Sequence, residues 1–272
     1  MKLDIKNIMV VVAMHALAVV AFFHPNPVGI AGAILLHYIT LHFGTILCYH
    51  RMVSHRMFRP SGFFGHVLLT SAALAIEDGP ITWARTHRLH HRYSDTENDP
   101  HSPTRGFFWA HVGWVFVRGV ISGDHRNYTP DLERNPVMRF YERRHVWINF
   151  AFFGVVSAVL ALFLTGGELL AALLWIFPVR IVTVWHSTWL VNSVTHVWGS
   201  QPTPTGDTSR NNRLVSLLTF GEGLHNNHHA QPWNPNFGAL TRQIDTSYVV
   251  LRCMAALRLL RIRMRPTSVE TA

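Results

Sequence analysis

Four stretches of this chain are apolar enough, for long enough, to cross a lipid bilayer. They lie at about 8–24, 28–49, 146–165 and 169–191, and Arg180 is their one Asp, Glu, Lys or Arg residue. A bilayer core takes ~20 apolar residues per helix, so these runs argue against a single soluble domain. Pro25, Asn26 and Pro27 break the first pair, and Gly166, Gly167 and Glu168 break the second. Each pair therefore reads as a helical hairpin. A further run, Gly62 to Ile76, is too short to cross and reads as an interfacial or buried helix.

Charge orients these spans. The turns at 24–28 and 165–168 hold no Lys or Arg, whereas 50–60, 85–145 and 205–265 are rich in arginine. Basic loops stay on the cytoplasmic side, which places both termini and all three arginine-rich segments there. The expected fold is an all-α integral membrane protein. It has four transmembrane helices and a helical cytoplasmic cap, built from about 50–145 and 192–272, within one domain over 1–272. Four helices alone leave no deep aqueous cleft, so a site should lie between cap and bundle. The net charge is +9, and Arg258, Arg261, Arg263 and Arg265 close the chain. Such residues favour anionic lipid head groups. No nucleic-acid partner is expected, because no basic stretch is separate from the membrane-like parts. Lys2 and Lys6 precede the first run without a small-residue cleavage site after it, so no removable signal is expected. Cys48 and Cys253 cannot make a disulfide framework.

Nine of the nineteen histidines stand out by spacing. They are His50 and His55; His87, His90 and His91; His225, His228 and His229; and His196, one helical turn after Asn192. Nine imidazoles are too many for one metal ion and suit two. All nine fall on the side assigned to the cytoplasm. Residues at i, i+3 and i+4 share a helix face, so each HxxHH triplet can converge. His50 and His55 are about 140° apart on an ideal helix. They should diverge, which fits two different ions or a helix ending between them. Imidazole suits Fe, Zn, Cu and Ni alike. Asp95, Asp99 and Glu222 flank the clusters and are candidates to orient the rings, with solvated surface charge as the alternative. His15, His24, His37, His42, His66, His101, His111, His125, His145 and His186 lack the grouping and read as structural. Trp109, Trp114 and Trp147 read as interface anchors or core. Arg180 reads either as a polar contact near the site or as a snorkelling side chain.

The order HxxxxH, HxxHH, HxxHH on membrane helices resembles the membrane-bound fatty acyl desaturases. The intervening strings narrow the resemblance to the stearoyl-CoA and cyanobacterial acyl-lipid Δ9 branch. They are His50-Arg-Met-Val-Ser-His55-Arg, Trp83-Ala-Arg-Thr-His87-Arg-Leu-His-His91, Asp99-Pro-His101 with Gly106 to Trp114, Thr188-Trp-Leu-Val-Asn192-Ser-Val-Thr-His196, and Gly221-Glu-Gly-Leu-His225-Asn-Asn-His-His229. The resemblance implies a di-iron centre with the nine grouped histidines as ligands and Asn192 holding a metal-bound water. It implies a kinked acyl tunnel whose bend matches Trp83, Thr188 and Trp189, with Glu77 where the family usually has glutamine. Arg85 and Arg118 match head-group contacts of the acyl-CoA enzymes, but Thr86, Gly119 and Asp78 depart from that pattern. The carrier is therefore left open among CoA, acyl-carrier protein and glycerolipid.

The implied activity is O2-dependent insertion of a cis double bond, at Δ9, into a long-chain acyl substrate. No flavin, haem-attachment or iron–sulfur motif is present. Electrons must then come from outside, and a basic face should dock an acidic carrier of the ferredoxin or cytochrome b5 type. The alternatives are an acetylenase or hydroxylase on the same scaffold, and a membrane haem carrier using paired histidines within the spans.

Overall fold

The computed structural model describes residues 2–120 and 125–263. Arg265 and the end of the expected cap, 264–272, lie outside the described residues. Helix α1 is Ile5–Phe22, opened by the carboxylate of Asp4, which accepts from Asn7 N. Helix α2, Pro27–Ser54, follows directly, with Asn26 accepting from Gly29 N at 2.8 Å. Proline at the first helical position forgoes an amide that would be unpaired anyway. Beyond Tyr38, α2 is π-helical over Ile39–Ser54. Then come α3 (Gly62–Ala73), α4 (Pro80–Tyr93), α5 (Phe107–His111), α6 (Pro136–Leu160) and α7 (Gly166–His196). Helix α7 has a π-helical segment around Pro178, whose missing N–H breaks the regular ladder. Helices α8 (Arg213–Leu218), α9 (His225–Ala230) and α10 (Thr246–Ala256) follow, and a single helical turn, Pro130–Glu133, precedes α6.

Helices α1, α2 and α7 are long and apolar enough to cross a membrane, with mean hydropathies of 2.1, 1.6 and 1.8. They carry the expected spans 8–24, 28–49 and 169–191. Both α2 and α7 run five residues further than expected, and each overhang carries a grouped histidine, His50 and His196. The fourth expected span, 146–165, falls differently. Asn135 caps α6 ten residues earlier than expected, and the helix stops at Leu160. Its first turns hold Arg139, Glu142, Arg143 and Arg144, and α6 is not among the helices that qualify by length and composition. Trp147, Phe150, Val155 and Val159 nonetheless point outward from its apolar half.

The expectation of an all-helical chain needs a small correction. Lys2–Leu3 (β1) pairs antiparallel with Val117–Arg118 (β3), and Phe58–Pro60 (β2) with Leu260–Ile262 (β4). Ladders this short leave no alternation for a sequence to display. The first ties the start of α1 to the segment after α5, and the second ties the end of the described chain to the exit of α2.

Helix α3 is apolar and lies along the π-helical half of α2. A Cβ at Gly44 would stand 2.6 Å from the Ser71 carbonyl oxygen, so only glycine lets the two backbones approach. The C-terminus of α3 ends inside the protein, where its last carbonyls have no water to meet. Asn149 of α6 donates to Ala73 O (2.6 Å), Arg180 of α7 to Leu74 O (2.5 Å), and the Trp185 indole to Ala75 O (2.9 Å). Arg180 is 1% exposed and does not snorkel; it caps a buried helix end. Glu142 does the converse at α4, accepting from Ile81 N at 2.8 Å and Thr82 N at 3.2 Å. A carboxylate at a helix N-terminus satisfies unpaired amides and the helix dipole together. Two capped ends thus hold the segment 74–82 and, beyond it, the helix that carries His87, His90 and His91.

Candidate metal centre

The nine grouped histidines come from five places: the end of α2, the residue just after it, α4, the end of α7, and α9. They gather into two sets. His50, His55, His87, His91 and His228 form one, and His90, His196, His225 and His229 the other, with ring nitrogens in each within 4.8 Å of one another. Each HxxHH triplet is split between the sets. Its i and i+4 members stay together and the third crosses over, so His90 joins His225 and His229 while His228 joins His87 and His91. The expected convergence of each triplet on one ion is corrected accordingly: the two triplets interlock.

His50 and His55 share a set, contrary to the divergence expected of an ideal helix. The helix ends at Ser54, between them, and its last turns are π-helical, so His55 N bonds to His50 O at 3.2 Å. In a helix with i→i+5 bonds, five residues make roughly one turn.

Within the first set the Nε2 atoms form a chain of close approaches. They run from His55 to His87 (2.7 Å), His91 (3.0 Å), His228 (2.9 Å) and His50 (3.0 Å). In the second set His225 and His196 meet at 3.0 Å, and His90 and His229 at 3.3 Å. The opposite nitrogens explain why these contacts call for a cation. The Nδ1 of His90 faces Asp99 (3.0 Å), that of His196 faces Asp95 (3.1 Å), that of His229 faces Asp207 (2.6 Å), and that of His50 pairs with Glu222. A carboxylate accepts the Nδ1 proton and leaves Nε2 as a lone pair. His90 and His229 then turn two acceptors toward each other. Nothing in the protein lies between them, and a metal ion answers that need. The Nδ1 atoms of His225 and His228 are buried without a partner, so their Nε2 atoms are their one route to a polar contact.

Burial holds His55, His87, His91, His225 and His228 well below the ordinary histidine range, and His229 at about 4. At His90 burial acts in the same direction, but Asp99 outweighs it and raises the ring. Burial opposes ionisation of Asp99 and Asp207, yet His90 and His229 hold them below the usual carboxylate range. The six lowered rings are therefore neutral bases, the form a metal requires. In the metal-free unfolded chain these rings protonate near pH 6.5; folded, they resist until lower pH. The unfolded state then binds more protons between those limits, so stability is full above about pH 6.5 and falls toward pH 4. Melting of chelator-treated protein should drop steadily from about pH 7 to 5; a flat profile would show that these rings do not fold as buried neutral bases.

A family model described as fatty acid desaturase matches residues 9–238. The chain belongs to the fatty acid desaturase family. It is 37% identical to the chloroplastic palmitoyl-monogalactosyldiacylglycerol delta-7 desaturase of Arabidopsis thaliana, over 94% of this chain and 68% of that one. It is 36% identical to an sn-1 stearoyl-lipid 9-desaturase of Anabaena variabilis, over 93% and 91%. With an icosanoyl-CoA 5-desaturase of Limnanthes douglasii it shares 34% identity, over 98% and 74%. This desaturase is thus a membrane-bound acyl-modifying oxidoreductase whose histidine groups can hold a metal cofactor.

A cavity of about 470 Å³, counting its open mouth, faces both histidine sets. Leu41, Thr45 and Ile46 of α2, Trp83 of α4, and Thr188, Val191 and Asn192 of α7 line it, together with His50, His87, His90 and His225. Of the residues matched to the bend, Trp83 and Thr188 lie on this wall. Trp189 does not; it is buried against Trp185, His111 and His186. Glu77 reaches the wall from behind, accepting from the Trp83 indole at 3.2 Å, and burial pushes its carboxyl up to about 8. Arg85 is paired with Glu133, and the exposed Arg118 stands 3.4 Å from Asp4; neither lines the cavity.

Three partners escaped the sequence reading. Asp207 lies in the loop after α7 and orients His229. Arg51 and Asp245 lie behind Glu222. Arg51 is fully buried and uses all five of its N–H donors, on Glu222, Asp245 and the Pro235 carbonyl. Its guanidinium also stacks on Phe237 at 3.9 Å, and Phe237 packs against His228. Only the neighbouring His50 hinted at Arg51, and no spacing marked the two aspartates. His101, which lacked grouping, joins Asp99 beside His90.

The family match favours a desaturase over the haem-carrier alternative. Of the histidines that alternative would use, His15 and His186 bond each other at 3.0 Å. His37 instead meets Thr183, and His42 meets Ser247.

Proposed function

We propose that this desaturase uses O2 and two iron ions, held by the nine grouped histidines, to place a cis double bond at Δ9 of a long-chain acyl substrate. The observation that carries this reading is the cavity whose surface is mostly apolar and which histidines of both sets line. A saturated C–H bond yields to no ordinary acid, base or nucleophile, and iron with O2 supplies the oxidising power required. The overall change is –CH2–CH2– plus O2, two electrons and two protons to –CH=CH– plus two waters.

The protein's part is placement. Leu41, Ile46 and Val191 accept the acyl chain by apolar contact, and Trp83 and Thr188 set where it bends. The carbon that stops beside the histidines is then a matter of geometry. Asn192, one turn before His196, lines the cavity and would hold a metal-bound water. Glu77, kept protonated by burial, fixes the Trp83 indole. Trp189 acts in packing α5 against α7 behind that wall. Arg85 and Arg118 are already paired, with Glu133 and Asp4, which leaves the acyl carrier open.

The reading of Δ9 rests on the cyanobacterial relatives named for that position, against relatives named for Δ7 and Δ5. Topologically, α1, α2, α7 and the apolar half of α6 make four spans, with both termini, the cap and the metal centre cytoplasmic. The chain forms one domain in this arrangement. Expression in a host that lacks unsaturated fatty acids, followed by mass spectrometry with double-bond localisation, tests the function. A Δ9 alkene supports it; an alcohol or alkyne identifies a hydroxylase or acetylenase, and another position corrects the Δ9 assignment.

Electrons reach the centre from an acidic carrier of ferredoxin or cytochrome b5 type. Arg92, Arg134, Arg143 and Arg144 are exposed to receive one, and association steered by such charge is screened by salt. Raising ionic strength from about 0.05 to 0.5 M should slow reduction by the carrier several-fold while leaving reduction by dithionite unchanged. Equal rates with the carrier at both salts would rule out this docking.

A further inference from the structure

The two histidine sets are backed by unequal charge. In the four-histidine set, three rings turn Nδ1 to three separate carboxylates, Asp99, Asp95 and Asp207. Among the described residues no Lys or Arg pairs with any of the three; their other partners are hydroxyls, backbone amides and His101. In the five-histidine set one ring, His50, has a carboxylate, Glu222, and Arg51 lies 2.8 Å from that carboxylate. Behind it, Asp245 is bound to Arg51, and beside His55 the guanidiniums of Arg88 and Arg56 both hold Asp131. Around the five-histidine set each carboxylate thus has its arginine. Around the four-histidine set none does among the described residues.

Resting on the two-iron reading above, we propose that the two positions are electronically unequal and that the four-histidine position is built for the ion of higher charge. A carboxylate on Nδ1 draws the imidazole toward its anionic form and makes Nε2 a stronger donor. Three such carboxylates, Asp99 buried and Asp95 and Asp207 partly so, none of them paired with a cation among the described residues, favour Fe3+ over Fe2+ at the ion they face. At the other position Arg51 withdraws this help from Glu222. When an external one-electron donor meets the diferric protein, the first electron therefore goes to the five-histidine ion. One Fe3+ becomes Fe2+, the donor is oxidised by one electron, and no bond forms or breaks. The half-reduced protein holds Fe2+ on the set containing His50 and Fe3+ on the set containing His229. Electron entry to the desaturase is thus ordered by the residues behind the ligands.

The test is Mössbauer spectroscopy of the purified full-length protein, loaded with excess ⁵⁷Fe and given dithionite supplying zero, one and two electrons per protein. At one electron, separate ferric and ferrous signals in equal amounts are expected. Asp207→Asn, on a half-buried loop and so the variant least disruptive to folding, should alter the ferric signal. It should also shift the ratio of the two mixed-valence forms by ~10-fold or more, the scale on which such partners act. Glu222→Gln should alter the ferrous signal instead. The proposal is overturned if Asp207→Asn alters the ferrous signal while leaving the ferric signal and the ratio of mixed-valence forms as in the wild type, or if one averaged signal persists in every sample; Asp207→Asn decides even where Glu222→Gln does not accumulate. Elemental analysis separates the two readings, since zinc, or one metal per chain, would defeat the two-iron assignment itself.

Discussion

His228→Ala should abolish the new double bond in lipids of the expression host and lower the metal content by at least one ion per chain. His228 stands inside the five-histidine set, its Nε2 at 2.9 Å from His91 and 3.0 Å from His50. Its Nδ1 has no partner and its residue is fully buried, so the ring's polar capacity is spent wholly within the set. Alanine removes that donor and leaves a hole beside Phe237 that no neighbouring nitrogen can fill. Replacing a residue that merely orients a ligand costs ~10–100-fold in affinity or activity, and loss of a ligand should exceed that. The control is His24→Ala, an exposed turn residue, which should leave product and metal unchanged. Retained product in His228→Ala would remove that residue from the ligand set.

Arg51→Met should give the largest loss of stability of any single substitution outside the nine histidines. The change leaves Glu222 and Asp245 as buried charges without their common partner. Breaking a buried ion pair from one side costs ~3–5 kcal/mol, a large share of what holds a protein folded. Two further effects add to it. The Phe237 ring loses its stacked cation, and the Pro235 carbonyl loses its donor. Arg51→Lys should recover only part, since an ammonium offers three donors where five are in use. Asp245→Asn placed on top of Arg51→Met should recover more stability than it costs alone, because it removes one stranded charge. Thermal melting in detergent checks the series. A single variant within about 0.5 kcal/mol of the wild type, the range of ordinary surface changes, would show that Arg51 does not hold this network.

Much of the desaturase could be read from residue order alone because its strongest signals are local. A run without charge reports a membrane-spanning helix whatever it packs against, and α1, α2 and α7 appear where the runs lie. The three histidine groups were legible for the same reason: the spacing of three or four residues is set by helix pitch. The departures mark where that reasoning stops. The π-helical turn of α2 turned an expected divergence of His50 and His55 into a shared set, since pitch depends on which carbonyl each amide chooses. The early start of α6 came from a capping asparagine outside the apolar run.

The chain order by itself determined a membrane protein, nine histidines in groups and the family they belong to, because apolar length and helical spacing are properties of neighbours. Which ring sits with which, and the charge behind each set, were decided only in three dimensions. Arg51, Asp207 and Asp245 come from segments up to 194 positions apart. Hydrogen bonds and Coulomb forces act across space without regard to distance along the chain, so no local pattern could announce them.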